Sequence, residues 1–162
     1  MNTALAEMFR QSRWANLRLL DLVAGLDPAV LDATEAGTYG TVGDTLFHIV
    51  RSEESYLHRL RTGQPKPSGR NDPFPGLTPL RERAAQSGDG LVDVAAQFQT
   101  GAAYPVDWED GQVYAVPAEI LLVQAFQHST EHRTQILTIL SQQGIEVPEL
   151  SGWTYFEETR PR

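Results

Sequence analysis

Cysteine is absent from this 162-residue chain, and Lys66 is its only lysine. Without a thiol there is no disulfide framework, no thiolate nucleophile and no thiolate metal ligand. Any metal must then be held by imidazole or carboxylate. Scarce lysine, scattered arginines and a net charge of -8 speak against a polyanion partner, because affinity for phosphate backbones comes from clustered cations that release counterions. Neither nucleic acid nor an anionic membrane surface is expected. No run of about 18 apolar residues is present to span a bilayer. The stretch Met1 to Gln11 carries Glu7 and Arg10 and lacks the apolar region of a secretory signal, so the expected location is cytoplasmic. There is no glycine-rich phosphate loop, no Gly-x-Ser-x-Gly elbow and no internal repeat.

What is present is an ordinary globular composition, 41% hydrophobic and 21% charged, in a length suited to a single domain over 1–162. From about Thr3 to Leu26, Leu5, Met8, Phe9, Ala15, Leu19, Leu22, Val23 and Leu26 recur at helical spacing, ended by Gly25 and Pro28. A loop holding Gly37, Tyr39 and Gly40 leads to Thr41, which with Asp44 has the spacing of a capping box. The second helix runs on to about Leu60. Thr62 to Pro79 carries five prolines and three glycines and reads as a crossover loop. A third helix is expected from about Thr78 to Gly101, broken around Ser87-Gly88-Asp89-Gly90, since each glycine costs roughly 1 kcal/mol against alanine. Tyr104 to Val116 forms two short runs around Asp110-Gly111, a pair suited to a type I′ hairpin turn. Pro117 suits the first turn of a fourth helix, ending near Gln143 before Gly144 and Pro148. The tail, Glu149 to Arg162, is aromatic and is expected to fold back on the bundle. Trp14, Trp108 and Trp153 read as packing anchors, His58 as an exposed helix residue, and Glu53-Glu54 as a solvated face.

The chemistry lies in the histidines. His128 and His132, four apart on the longest helix, differ by about 40° and leave the same face one turn apart. Leu121, Ala125, Ile136 and Ile139 fall within about 60° of that direction, so the two imidazoles interrupt a core seam. Buried imidazoles must be hydrogen-bonded or metal-bound. A metal site needs a third protein ligand, either His48 or His58 on the second helix. These two lie about 80° apart and some 15 Å along the axis, so both cannot serve. Leu46, Ile49, Val50, Leu57 and Leu60 mark the main apolar arc of that helix, and His48 lies on its far side with Ser52 and Ser55. That position suits a cleft open to solvent rather than a deep core. A lone His-x-x-x-His pair is by itself a weak signal, and Ser129 after His128 departs from the zincin signature.

Several pieces together resemble the DinB/YfiT-like family of metalloenzymes over nearly the whole chain. Trp14-Ala15-Asn16 followed by Leu19-Leu20 looks like the family's first helix, and Thr41-Val42-Gly43-Asp44-Thr45-Leu46-Phe47-His48-Ile49 like its second. The run Gln127 to Ile136 is similar to the signature H-x-x-x-H-R-x-Q-[IL], and the hairpin from Trp108 to Val116 also fits. The resemblance implies an all-α four-helix bundle with a long crossover and a small β-hairpin before the last helix, often homodimeric. It implies one divalent metal ion, nickel or zinc, on His48, His128 and His132, with His58 a bystander. The implied activity is that of a thiol-dependent transferase using a low-molecular-weight thiol cosubstrate, or of a hydrolase, on a small-molecule substrate. The alternative is a non-catalytic, stress-associated metal-binding or structural bundle. Glu131, Gln124 and Tyr56, placed near the histidines, are the candidate acid-base groups.

Overall fold

Apolar residues at helical spacing build four long helices, α1 (Thr3–Ala24), α2 (Val42–Thr62), α3 (Leu77–Gln97) and α4 (Ala118–Gln142). The computed structural model describes residues 2–67, 72–108 and 110–160, so part of the crossover loop, 68–71, lies outside the described residues. Between α3 and α4 a two-stranded antiparallel hairpin pairs β1 (Ala103–Asp107) with β2 (Val113–Pro117), in the register Tyr104 to Val116 and Val106 to Tyr114. A short α5 (Gly152–Thr159) ends the chain. The architecture is therefore all-α, a bundle with a small hairpin before the fourth helix. No helix among the described residues is long and apolar enough to cross a membrane.

The ends of the elements follow local chemistry. Asn2 caps α1, its side-chain oxygen accepting from the Leu5 amide at 3.1 Å. Thr41 caps α2, with Oγ1 accepting from the Asp44 amide at 3.1 Å, as the capping spacing requires. Gly63 closes α2 in the left-handed region at φ 73°. Between α1 and α2 a 3-10 turn, Pro28–Asp32, was not legible as an element and is capped by Asp27.

Inside the bundle the core falls into two apolar clusters. One gathers Leu19, Val23, Val42, Leu46, Val50, Leu80, Ile136, Ile139 and Leu140. The other gathers Phe9, Leu60, Leu91, Ala95, Leu121, Leu122 and Ala125. On each helix the stretch between the two clusters carries buried polar residues: Ser12 and Asn16 on α1, Glu53 on α2, Ser87 on α3, Ser129 and Arg133 on α4. The bundle thus has a polar layer at mid-height.

Five readings of the sequence need correction. The third helix does not break at Ser87-Gly88-Asp89-Gly90; it is continuous, because these glycines let neighbouring helices come close. A Cβ on Gly88 would lie 2.6 Å from Arg13 Cγ and 2.9 Å from its Cβ, and one on Gly90 would collide with Leu57. Arg13 Cβ is fixed to the α1 backbone, so a methyl group at 88 must push α1 and α3 apart. Gly88→Ala should therefore destabilise by about 1–3 kcal/mol although alanine is the better helix former; a neutral or stabilising effect in urea denaturation would contradict this packing. Second, Asp110-Gly111 is not the centre of a type I′ turn. Only Gly111 has positive φ, 77°, and its amide donates to the Trp108 carbonyl at 3.0 Å while the Trp108 amide donates to Gln112 at 2.9 Å. That pattern belongs to a longer loop ending in a left-handed glycine, in which Glu109 lies outside the described residues. Third, Pro117 ends β2 and is the N-cap of α4 rather than a residue of its first turn.

Fourth, only Trp14 behaves as an anchor, packing half-buried against Tyr155 of α5 with ring centroids 5.6 Å apart; Trp108 and Trp153 are exposed, Trp153 by 80%. The tail does fold back, held by Tyr155 and Arg160 on Glu7 and by Arg18 on Glu158. Fifth, Glu53-Glu54 is not a solvated face. Glu53 is 3% exposed, and Glu54 is gripped by both arms of Arg83, at 2.7 and 2.8 Å, and by Lys66.

Candidate metal centre

His128 and His132 stand one turn apart on α4, and α2 packs against α4 so that His48 faces both. Among the described residues this is the one group of three histidine, aspartate or glutamate side chains whose donor atoms could hold an ion, all within 4.8 Å of one another. His58, the rival third ligand by sequence, is half-buried on α2 rather than exposed as the sequence suggested, and is not in the group. His48 Nε2 lies 2.9 Å from His128 Nε2. Nitrogens bound to one ion at about 2.0–2.1 Å must stand about 2.9–3.4 Å apart for right-angle to tetrahedral geometry, so this pair already has the spacing. The ring planes are mutually inclined by 56°, 85° and 76°, with centroids 4.4 to 4.8 Å apart. They converge on a common point rather than stacking. His48 and His128 are half-buried and His132 is 9% exposed, which leaves one side of the cluster open.

Electrostatics prepare the rings as ligands. Burial, reinforced by the neighbouring imidazoles and by Arg51, brings His48 down to about 4. Burial and His132 bring His128 down to about 4, against the opposing pull of Glu131. Both rings are therefore neutral at pH 7, so binding an ion costs no net proton, only a shift of the proton shared between the two Nε2 atoms to the other nitrogen of its ring. His128 Nδ1 is buried and has no hydrogen-bond partner among the described residues. The donor set, its spacing and its neutrality fit a divalent cation.

The polar layer fixes the two helices that carry the histidines. Glu53, five residues after His48, accepts from Asn16 Nδ2 at 2.7 Å and from Ser129 Oγ at 2.9 Å on Oε1, and from Ser87 Oγ at 3.1 Å on Oε2. Arg133, next to His132, donates through Nη1 to Asn16 Oδ1 at 2.7 Å and Ser12 Oγ at 3.0 Å, and through Nη2 to Thr130 Oγ1 at 2.9 Å. The Asn16 amide thus bridges the buried cation and the buried carboxyl. Burial pushes the Glu53 carboxyl above its usual range, opposed by Ser129, Arg133, Asn16 and Ser87. Burial also lowers Arg133 to about 10, opposed by Glu53. Arg133 remains charged at neutral pH, and all four helices are locked in register beside the cluster.

Of the candidate acid-base groups, Tyr56 and Gln124 pair with each other and Glu131 stands apart. Tyr56 is half-buried, its ring edge-on to His128 at 6.2 Å; burial raises its phenol, countered by a hydrogen bond with Gln124. Gln124 itself is exposed. Glu131 is exposed and accepts from Gln127 Nε2 at 3.1 Å. Two further residues touch the cluster directly and were not singled out as site residues. The ring of Tyr39, between α1 and α2, stacks on His48 at 4.0 Å and 14° and meets His132 edge-on at 5.1 Å. Gln135 Oε1 lies 2.9 Å from His132 Nδ1. Gln135 could have been found from its spacing, since a residue three beyond His132 shares its face. Tyr39 could not, because loop geometry alone brings it over the site.

A sequence model of the DinB family matches residues 1–162, the whole chain. No curated protein matches it.

Proposed function

Because the chain belongs to the DinB family, we propose that it is a metal-dependent enzyme in which His48, His128 and His132 hold one divalent ion, nickel or zinc, to activate a small nucleophile. The observation that carries this reading is the convergence of three imidazoles, two of them kept neutral, at the half-open junction of α2 and α4. A bound ion of this kind supplies a lowered pKa to water or thiol and leaves positions free for it, because three protein ligands do not fill the coordination shell.

The chain's own residues narrow the reaction. The groups whose rings meet the cluster are the phenols of Tyr39 and Tyr56, whereas the nearest carboxylate on α4, Glu131, is exposed and bonded to Gln127. A nucleophile that needs little help from a general base is favoured by such surroundings. A low-molecular-weight thiol meets that description better than water. The reading is therefore a thiol-dependent transferase acting on a small electrophilic substrate, with metal-assisted hydrolysis as the second possibility. The test is turnover of an activated electrophile by the zinc- or nickel-loaded protein, with and without a panel of low-molecular-weight thiols, and again with an ester. Thiol-dependent turnover lost on chelation while the protein stays folded is expected. Unfolding on chelation, with no turnover of any substrate, would mark the ion as a structural element and overturn the catalytic reading.

A further inference from the structure

Gln135 Oε1 has two neighbours: His132 Nδ1 at 2.9 Å and the main-chain N–H of Tyr39 at 3.1 Å. The amide of Tyr39 can only donate, so the Gln135 atom between them must be the oxygen and not the nitrogen. An amide oxygen can only accept, so His132 Nδ1 must carry the proton. A ring with its one proton on Nδ1 has its lone pair on Nε2. One side-chain oxygen thus sets the tautomer of a buried histidine and holds the loop whose aromatic ring covers the cluster. The Tyr39 ring also meets His132 edge-on, while the loop's Thr38 and Thr34 hydroxyls bond within it, to Glu35 and Gly40 carbonyls. Gly37 at φ 85° gives the loop a turn that other residues rarely adopt.

We propose that Gln135 is a positioning residue that couples the cluster to loop 33–41: by holding His132 with its proton on Nδ1 it presents Nε2 to the ion, and through the same oxygen it fixes Tyr39 as the roof over His48. This rests on the metal-centre reading above and adds to it a link between ion binding and access to the site. Polarising the His132 ring through its N–H strengthens it as a ligand. Conversely, an ion that immobilises His132 immobilises Gln135 and with it the amide of Tyr39. Tyr39, 50% exposed, then stays stacked on His48 at the exposed side of the cluster.

Zinc binding and nitrogen-15 NMR of the full chain test this, using Gln135→Leu, Gln135→Glu and Tyr39→Ala. In the wild type the His132 ring should show the Nδ1-protonated tautomer without metal, and zinc should slow hydrogen exchange of the Tyr39 amide. Gln135→Leu should bind zinc about 10–100-fold more weakly and lose the zinc-dependent protection at residue 39. Gln135→Glu keeps an acceptor and should retain both properties. Tyr39→Ala keeps its main-chain N–H, so zinc should still protect that amide. Wild-type zinc affinity together with undiminished zinc-dependent protection in Gln135→Leu would overturn the coupling while leaving the three-histidine site standing. A wild type that binds no zinc would remove the site and the coupling together.

Discussion

Glu53→Ala should lower the unfolding free energy by about 3–5 kcal/mol, the range for breaking a buried charged network by removing one partner. The carboxyl is 3% exposed and receives donors from α1, α3 and α4. Its loss leaves Asn16 Nδ2, Ser87 Oγ and Ser129 Oγ without their acceptor, and leaves Arg133 buried without the carboxyl that opposes its desolvation. Glu53→Gln keeps an acceptor for Asn16 and Ser129, and the Ser87 hydroxyl can turn to accept from the new amide, so its cost should be nearer 1–3 kcal/mol. The ion pair of Asp21 with Arg81 bonds at 2.5 Å and 3.0 Å, but both side chains are about half exposed. Asp21→Ala should therefore cost no more than about 1 kcal/mol. Urea denaturation of the metal-free proteins gives all three values. A Glu53→Ala variant no less stable than Asp21→Ala would show that the polar layer does not hold the bundle in register.

That layer was written in the sequence, but in a form that helical periodicity misreads. Along α2 the inward-facing seam runs Leu46, Val50, Glu53, Leu57, Leu60, in steps of four and three, and Glu53 occupies a seam position. Its neighbour Glu54 made the pair resemble a solvated face. The same steps carry Ser87 between Ala84 and Leu91 on α3, and Ser129 and Arg133 between Ala125 and Ile136 on α4. A polar residue on a seam is ambiguous by itself. Its meaning appears only when its partners on three other helices are brought beside it, and no spacing within one helix reports that. The histidines on α4 were legible because the pair falls within one helix. His48 was the first choice over His58, but helical arithmetic placed it off the main apolar face, and the resemblance decided between them. The half-buried position of His48 between α2 and α4 agrees with both: off the core, yet facing the α4 pair. The glycines of α3 misled for a related reason. Propensity counts their cost to an isolated helix, whereas their benefit lies in the approach of Arg13 and Leu57 from other helices.

The second large effect is on stability in the presence of metal. An ion that binds the folded chain and not the unfolded one stabilises it by about 2.7 kcal/mol at a free concentration one hundred times the dissociation constant. For a domain of this size that is roughly a 5–10 °C rise in Tm. His128→Ala should abolish the rise, because His128 Nε2 sits against His48 Nε2 and its loss leaves two imidazoles, one fewer than a tight site needs. His48→Ala and His132→Ala should do the same. Without metal these three variants should fold, since the rings of His48 and His128 are half-buried and the helices are held by the Glu53 layer rather than by the histidines. A rise in Tm that survives in all three variants would place the ion elsewhere.

The most direct measurement is elemental analysis of the untagged protein after reconstitution with zinc or nickel, beside His48→Ala, His128→Ala, His132→Ala and the control His58→Ala. Close to one ion per chain in the wild type and in the His58→Ala control, with loss of the ion in the other three variants, is the result predicted by the convergence of His48, His128 and His132. A wild type that holds no ion, or a His58→Ala variant that loses it as readily as the others, would contradict the metal centre.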